Sequence, residues 1–200
     1  MLRAFFLYLS RKRQLERWLL GLPGARRLAR QFVAGETLPE AMAVVRQLTG
    51  AGRLATLDHL GENVSTVEQA RAATDAYREI LEEIARQRLR CGISVKLTQL
   101  GLDLSEDLCR GHLRSLVERA QQQGSFVRVD MESSAYTDRT LALIAEMRQS
   151  HSSIGAVMQA YLYRSEQDVR RLVEQGTRVR LCKGAYHEPP MQHATAIPPR

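Results

Sequence analysis

Four segments of this chain end a strand-like run on a polar or charged side chain that can do chemistry. Lys96 sits in Gly92-Ile93-Ser94-Val95-Lys96-Leu97-Thr98, Asp130 in Val127-Arg128-Val129-Asp130-Met131-Glu132, and Gln159 in Met158-Gln159-Ala160-Tyr161. Arg180 sits in Arg178-Val179-Arg180-Leu181-Cys182, ahead of Lys183-Gly184-Ala185-Tyr186. A strand lysine cannot run along its element to water as a helix lysine does. Lys96 is therefore either a strand-end lysine reaching solvent or a buried cation beside a carboxylate. Asp130, at the same depth on the next strand, is its expected partner, because an opposite charge offsets the cost of desolvation. Arg180 stays protonated wherever it is placed. It suits negative charge on a ligand or charge that develops during a reaction, with a structural ion pair as the plainer alternative. Lys183-Gly184-Ala185 can offer a cation and backbone N–H groups to a phosphate, although so short a string is a weak signal. Gln159 reads as a satisfied core amide or, in a ligand site, as a hydrogen-bond partner for a planar heterocycle.

These residues need elements to hold them. Residues 1 to about 50 read as helices: Phe5 to Leu19 with apolar residues at helical spacing, Pro23 to Val33, and a third from Leu38-Pro39-Glu40 to Gly50 or Gly52. From Arg53 the pattern alternates. Strands are expected at Arg53–His59, Ile93–Thr98, Phe126–Glu132, Ile154–Leu162 and Arg178–Lys183. Between them fall helices at Thr66–Leu89, Ser105–Gln123, Thr137–Gln149 and from Ser165 to a stop at Gly176. Such alternation means parallel strands joined by right-handed crossovers. The strand faces choose between the two architectures that fit. Central strands of a doubly wound sheet read as unbroken apolar runs, whereas Ser94, Lys96, Arg128, Asp130, Arg178 and Arg180 alternate with apolar neighbours. No G-x-G-x-x-G follows any strand. The expectation is an α/β chain of the (β/α)8 TIM-barrel type with about five strands and four helices, preceded by N-terminal helices. Its divisions are a helical segment at 1–52, a partial barrel at 53–188 and an irregular tail at 189–200 that reads as a truncation.

Composition narrows the function classes. The 200 residues are 44% hydrophobic and only 6% aromatic, so the core must rest on aliphatic side chains. The net charge of +7 is spread along helices among acidic residues, except near the N-terminus. No basic-plus-aromatic recognition motif accompanies it, which argues against nucleic acid. Cys91, Cys109 and Cys182 are odd in number and far apart, so neither a disulfide framework nor a zinc site fits, and a reducing cytoplasm does. The five histidines do not cluster and predict no metal site; His59 alone stands at a strand end. No apolar run approaches the roughly 20 residues that span a bilayer.

At Ser94 to Gly101, Val129 to Glu132, Met158 to Tyr161 and Arg178 to Tyr186, in that order and spacing, the chain resembles the proline dehydrogenase family. The match runs from about residue 50 to 188. The resemblance implies FAD-dependent oxidation of L-proline to 1-pyrroline-5-carboxylate, on a modified (β/α)8 barrel. It implies Asp130 and Arg180 as catalytic residues, Lys96 as a substrate contact, and Met131, Gln159, Lys183, Gly184 and Ala185 as FAD contacts. Quinone is the implied electron acceptor, at a membrane surface that the basic, apolar Met1–Arg30 segment can approach from the cytoplasm, with packing of that segment onto the barrel as the favoured reading. The family's last strand and helix carry an arginine pair for the substrate carboxylate, which this chain does not reach, so the 200 residues are expected to be inactive or nearly so. Two other readings remain. One is a Schiff-base barrel enzyme using Lys96 or Lys183 as the amine nucleophile. The other is a non-catalytic fragment that binds FAD weakly or serves only as an interaction surface.

Overall fold

The computed structural model describes residues 33–186 and Glu188. The helices expected before Val33 and the tail expected at 189–200 lie outside the described residues. The chain divides into two compact units, Met1–Gln47 and Leu48–Arg200. Helix α1 (Leu38–Gly50) runs across that division, with Met42 and Val45 buried.

The second unit alternates strand and helix. It comprises β1 (Ala55–Asp58), α2 (Val67–Arg86), β2 (Cys91–Val95), α3 (Glu106–Gln122) and β3 (Val127–Val129). Then come a single 3-10 turn (Ser134–Tyr136), α4 (Thr137–Arg148), β4 (Ile154–Gln159), α5 (Ser165–Glu174) and β5 (Arg178–Cys182). The helices begin where their sequence says. Thr66 and Ser105 present side-chain oxygens to the amides of Gln69 and Leu108, satisfying donors that the first turn leaves open.

All five strands are parallel and lie in the order β1-β2-β3-β4-β5. Right-handed crossovers that always step in one direction put every helix on the same face, and the sheet curls into half of a barrel. A doubly wound sheet would reverse its order at a switch point. One face therefore carries the core. Ile93, Val95, Val127, Val129, Ile154, Ala156 and Met158 are buried there together with helix residues such as Leu81, Leu113, Leu116, Ile144 and Met147. Burial of each of these larger aliphatic side chains is worth about 1.5–3 kcal/mol.

The other face is the barrel interior, and parallel register arranges it in levels. Asp58, Ser94, Arg128, Gly155 and Arg178 are partnered strand to strand across one level. Two residues on along each strand come Lys96, Asp130, Val157 and Arg180, towards the C-terminal mouth. The strands are shorter than the alternation suggests: β2 ends at Val95 and β3 at Val129. Lys96 and Asp130 thus stand just past their strands rather than within them, because the chain turns away where the crossover begins.

Gly155 is required by close approach. A Cβ there would sit 2.5 Å from the Arg178 carbonyl oxygen and 2.7 Å from Cζ of the Phe126 ring. Gly155→Ala must push a neighbouring strand and a core ring apart, so we expect it to lower unfolding stability by about 1–3 kcal/mol, read as a reduced urea midpoint. An unchanged midpoint would show that the interior is not packed this closely.

Candidate active site at the strand ends

The C-terminal mouth holds two ion pairs. The carboxylate of Asp130 accepts from Arg180 Nη2 at 2.6 Å and from Ser94 Oγ at 2.5 Å, both to Oδ1. Lys96 Nζ lies 3.4 Å from Asp58 Oδ2. The expected Lys96–Asp130 pair is therefore replaced. Lys96 turns towards β1, one level below, while Asp130 is held by Ser94 on one side and by Arg180, two strands away, on the other. The side chains of Lys96 and Asp130 keep only 17% and 18% of their exposure, so neither charge is freely solvated and each depends on its partner. Arg180 is 42% exposed, and its remaining N–H groups make no bond among the described residues.

Asp58 is anchored from below. The hydroxyl of Tyr77, a fully buried residue of α2, has three acceptors within reach: Asp58 Oδ1 at 3.0 Å, Gln99 Oε1 at 3.1 Å and the His59 carbonyl at 3.3 Å. Burial, then the Asp58 charge, pushes this phenol well above its usual range, so it remains a donor. Gln99 Nε2 in turn donates to the His59 carbonyl and lies 3.2 Å from His59 Nδ1. His59 is thus held at the rim by Gln99 and by an edge contact with Tyr77.

A second network ties three loops together. Glu132, 3% exposed, accepts from the amide and hydroxyl of Thr98. Its backbone carbonyl accepts from Gln159 Nε2 at 2.7 Å, and Gln159 Oε1 accepts from the Ala185 amide at 3.2 Å. Both ends of the Gln159 amide are thus engaged inside the protein, and what they orient is the turn at Lys183-Gly184-Ala185. That turn needs glycine: Gly184 has φ +107°, and a Cβ would fall 2.1 Å from the Tyr161 ring. Tyr161 and Ser134 both donate to the buried carboxylate of Glu188, and so clasp the chain beyond β5 to the loop beyond β3. Met131, almost buried, begins that loop; Lys183 is exposed. Tyr186 reaches Glu62 at 3.5 Å, and burial with the Glu62 charge raises its phenol above the ordinary value.

The structure thus brings Lys96, Asp130, Arg180, Met131, Gln159 and the Lys183–Ala185 turn to one end of the sheet. Sequence reasoning missed Asp58, Ser94, Glu132, Tyr77 and Glu188. Of these, only Asp58 carried a signal, as the charged end of the first strand. Among the described residues no group of three or more His, Cys, Asp or Glu is placed to hold a metal ion. Cys91 and Cys109 are buried thiols, pushed up to about 11 and about 12 by desolvation, and stay protonated and unreactive; Cys182 is exposed.

Burial also raises the Glu132 carboxyl above its ordinary value, against the opposing pull of the Thr98 hydrogen bonds. The folded state therefore binds this proton more tightly than the unfolded chain. The penalty is absent below the unfolded value of 4.5, grows as pH rises from there to the folded value, and is constant above it. Glu132→Gln should gain stability relative to the parent as pH rises above the unfolded value of 4.5 in urea titrations. A difference that stays constant with pH would contradict the charge-burial account.

Comparisons with known proteins place the chain by sequence and by fold. The family model for proline dehydrogenase matches residues 41–196. Proline dehydrogenase 1 of Bacillus subtilis is 38% identical over 188 residues, covering 94% of this chain and 62% of that protein. Proline dehydrogenase of Deinococcus radiodurans is 32% identical over 169 residues, 81% of this chain and 54% of that one. Among solved structures, proline utilization A of Bdellovibrio bacteriovorus, inactivated by N-propargylglycine, superposes with a TM-score of 0.73 at 27% identity, over 81% of this chain and 21% of that one. The chain therefore spans only part of each of these relatives.

Proposed function

The chain belongs to the proline dehydrogenase family, and from that premise we propose that its strand-end site serves the oxidation of L-proline to 1-pyrroline-5-carboxylate with FAD as cofactor. The observation that carries the reading is the Asp130–Arg180 pair at 2.6 Å, set at the mouth beside the Lys96–Asp58 pair.

The donor set suits a flavin nucleotide. Arg180 keeps free N–H groups, Lys183 stands exposed beside a glycine turn, and Gln159 holds that turn through the Ala185 amide. Arg180, Lys183 to Ala185, Met131 and Gln159 are the residues that would hold or orient the cofactor. A bound flavin supplies the two-electron acceptor chemistry that no side chain here possesses. This chain's own residues do the rest. Asp130 fixes the guanidinium of Arg180 in one orientation, so that its remaining donors are aimed before negative charge develops. Lys96 presents a cation towards the carboxylate of an amino-acid substrate, while Asp58, itself held by Tyr77, directs it. The Glu132–Gln159–Ala185 chain sets the floor on which the cofactor turn rests. We propose quinone as the electron acceptor and a membrane surface as the place of transfer. Among the described residues no helix is long and apolar enough to cross a membrane.

Against the expectation of near-inactivity drawn from the sequence, the assembled strand-end site predicts measurable proline-dependent dye reduction and FAD uptake by the purified protein, and these test the reading. Asp130→Asn and Arg180→Met should each lower dye reduction by about 100-fold or more, the scale on which a preorganised charge stabiliser acts. Arg170→Gln, which breaks an exposed pair with Glu166, should leave it unchanged. Variants at Asp130 and Arg180 that reduce dye at the parent rate, or a parent that takes up no FAD, would contradict the proposal.

A further inference from the structure

At the opposite end of the strands the half-barrel encloses a hollow of about 700 Å³ whose charge is unbalanced. Arg90, Arg128, Arg178 and Arg180 line it, and no Asp or Glu does. Arg180 is satisfied by Asp130 at the mouth side. The other three have no ion pair among the described residues. Arg128 and Arg178 stand on one level, either side of Gly155. Both guanidinium carbons approach the Phe126 ring, at 5.5 Å and 5.0 Å from its centroid, so they lie within about 10.5 Å of each other. Nε of Arg128 is buried and has no hydrogen-bond partner. Burial and the neighbouring cations Arg180 and Arg178 lower its pKa, as expected for a cation packed among cations.

An anion is what this arrangement lacks. Among the described residues no carboxylate lines the hollow, and Asp130, whose charge acts on Arg128, is already engaged by Arg180. We propose that the hollow is an anion site for a small ligand bearing two or more carboxylate or phosphate groups. Arg128 and Arg178 each engage one acid group. Barrel enzymes do their chemistry at the C-terminal end, so a ligand here would act on assembly or regulation rather than on the reacting atoms. The inference does not depend on the proposed activity.

Calorimetric titration of pyrophosphate and of citrate into the full 200-residue chain at low salt tests it. We expect saturable binding of at least one probe, weakened about tenfold or more by Arg178→Gln, whose exposed side chain can change without disturbing the fold. Arg128→Gln should weaken it too, with an unchanged circular dichroism spectrum. Preference for pyrophosphate would assign the site to phosphate ligands, and preference for citrate to carboxylates. Two controls separate this hollow from other basic surfaces: Arg26→Gln/Arg27→Gln near the N-terminus and Lys183→Gln at the mouth, neither of which should matter. Absence of saturable binding by both probes, or binding that survives Arg178→Gln but fails in either control, would overturn the proposal.

Discussion

Asp130 is the residue through which the mouth of this half-barrel is organised. Its carboxylate accepts from Ser94 on β2 and from Arg180 on β5, so one small side chain ties together strands far apart in sequence. It can do so because parallel register places Asp130 and Arg180 on the same level, with Val157 of the intervening strand between them. Removing either charge leaves the other half-desolvated without a counter-ion, which is costlier than losing a surface pair. The other polar devices fit around this one. Lys96, displaced from Asp130, finds Asp58, and Asp58 is held by a buried tyrosine from beneath.

The two faces of the sheet divide the labour. The helix face is aliphatic and supplies the stability, while the interior face is polar and carries the charges in ordered levels. Because the charges sit on strand ends rather than on loops, their spacing is inherited from the ladder. The loops add the finer adjustment: Glu132 reaches Thr98, Gln159 reaches Ala185, and Glu188 closes the turn beyond β5 onto the loop beyond β3.

Much of this was legible in the sequence. Alternation of polar and apolar residues around Ser94–Lys96, Arg128–Asp130 and Arg178–Arg180 distinguished a barrel wall from a sheet buried on both sides, and it selected Lys96, Asp130 and Arg180. Turn residues and caps located the helices to within a few residues. What escaped was pairing. Lys96 and Asp130 stand side by side on neighbouring strands, and their union is the natural guess. Which carboxylate a long lysine reaches depends instead on competition from Arg180, a non-local partner fixed by the register of two further strands. Glu132 escaped because a carboxylate beside a catalytic candidate looks solvent-facing until Thr98 is seen to satisfy it. Gln159 was read as a ligand contact or a core amide, and its bonds to Glu132 and Ala185 make it the residue that orients the Lys183–Ala185 turn.

The most direct test of the central claim, that these strand ends form a flavin and proline site, is an anaerobic absorbance spectrum of the FAD-reconstituted chain before and after L-proline is added. The account predicts flavin bands in the reconstituted protein that bleach with proline. Flavin bands that proline leaves untouched, or a protein that stays colourless after reconstitution, would contradict it.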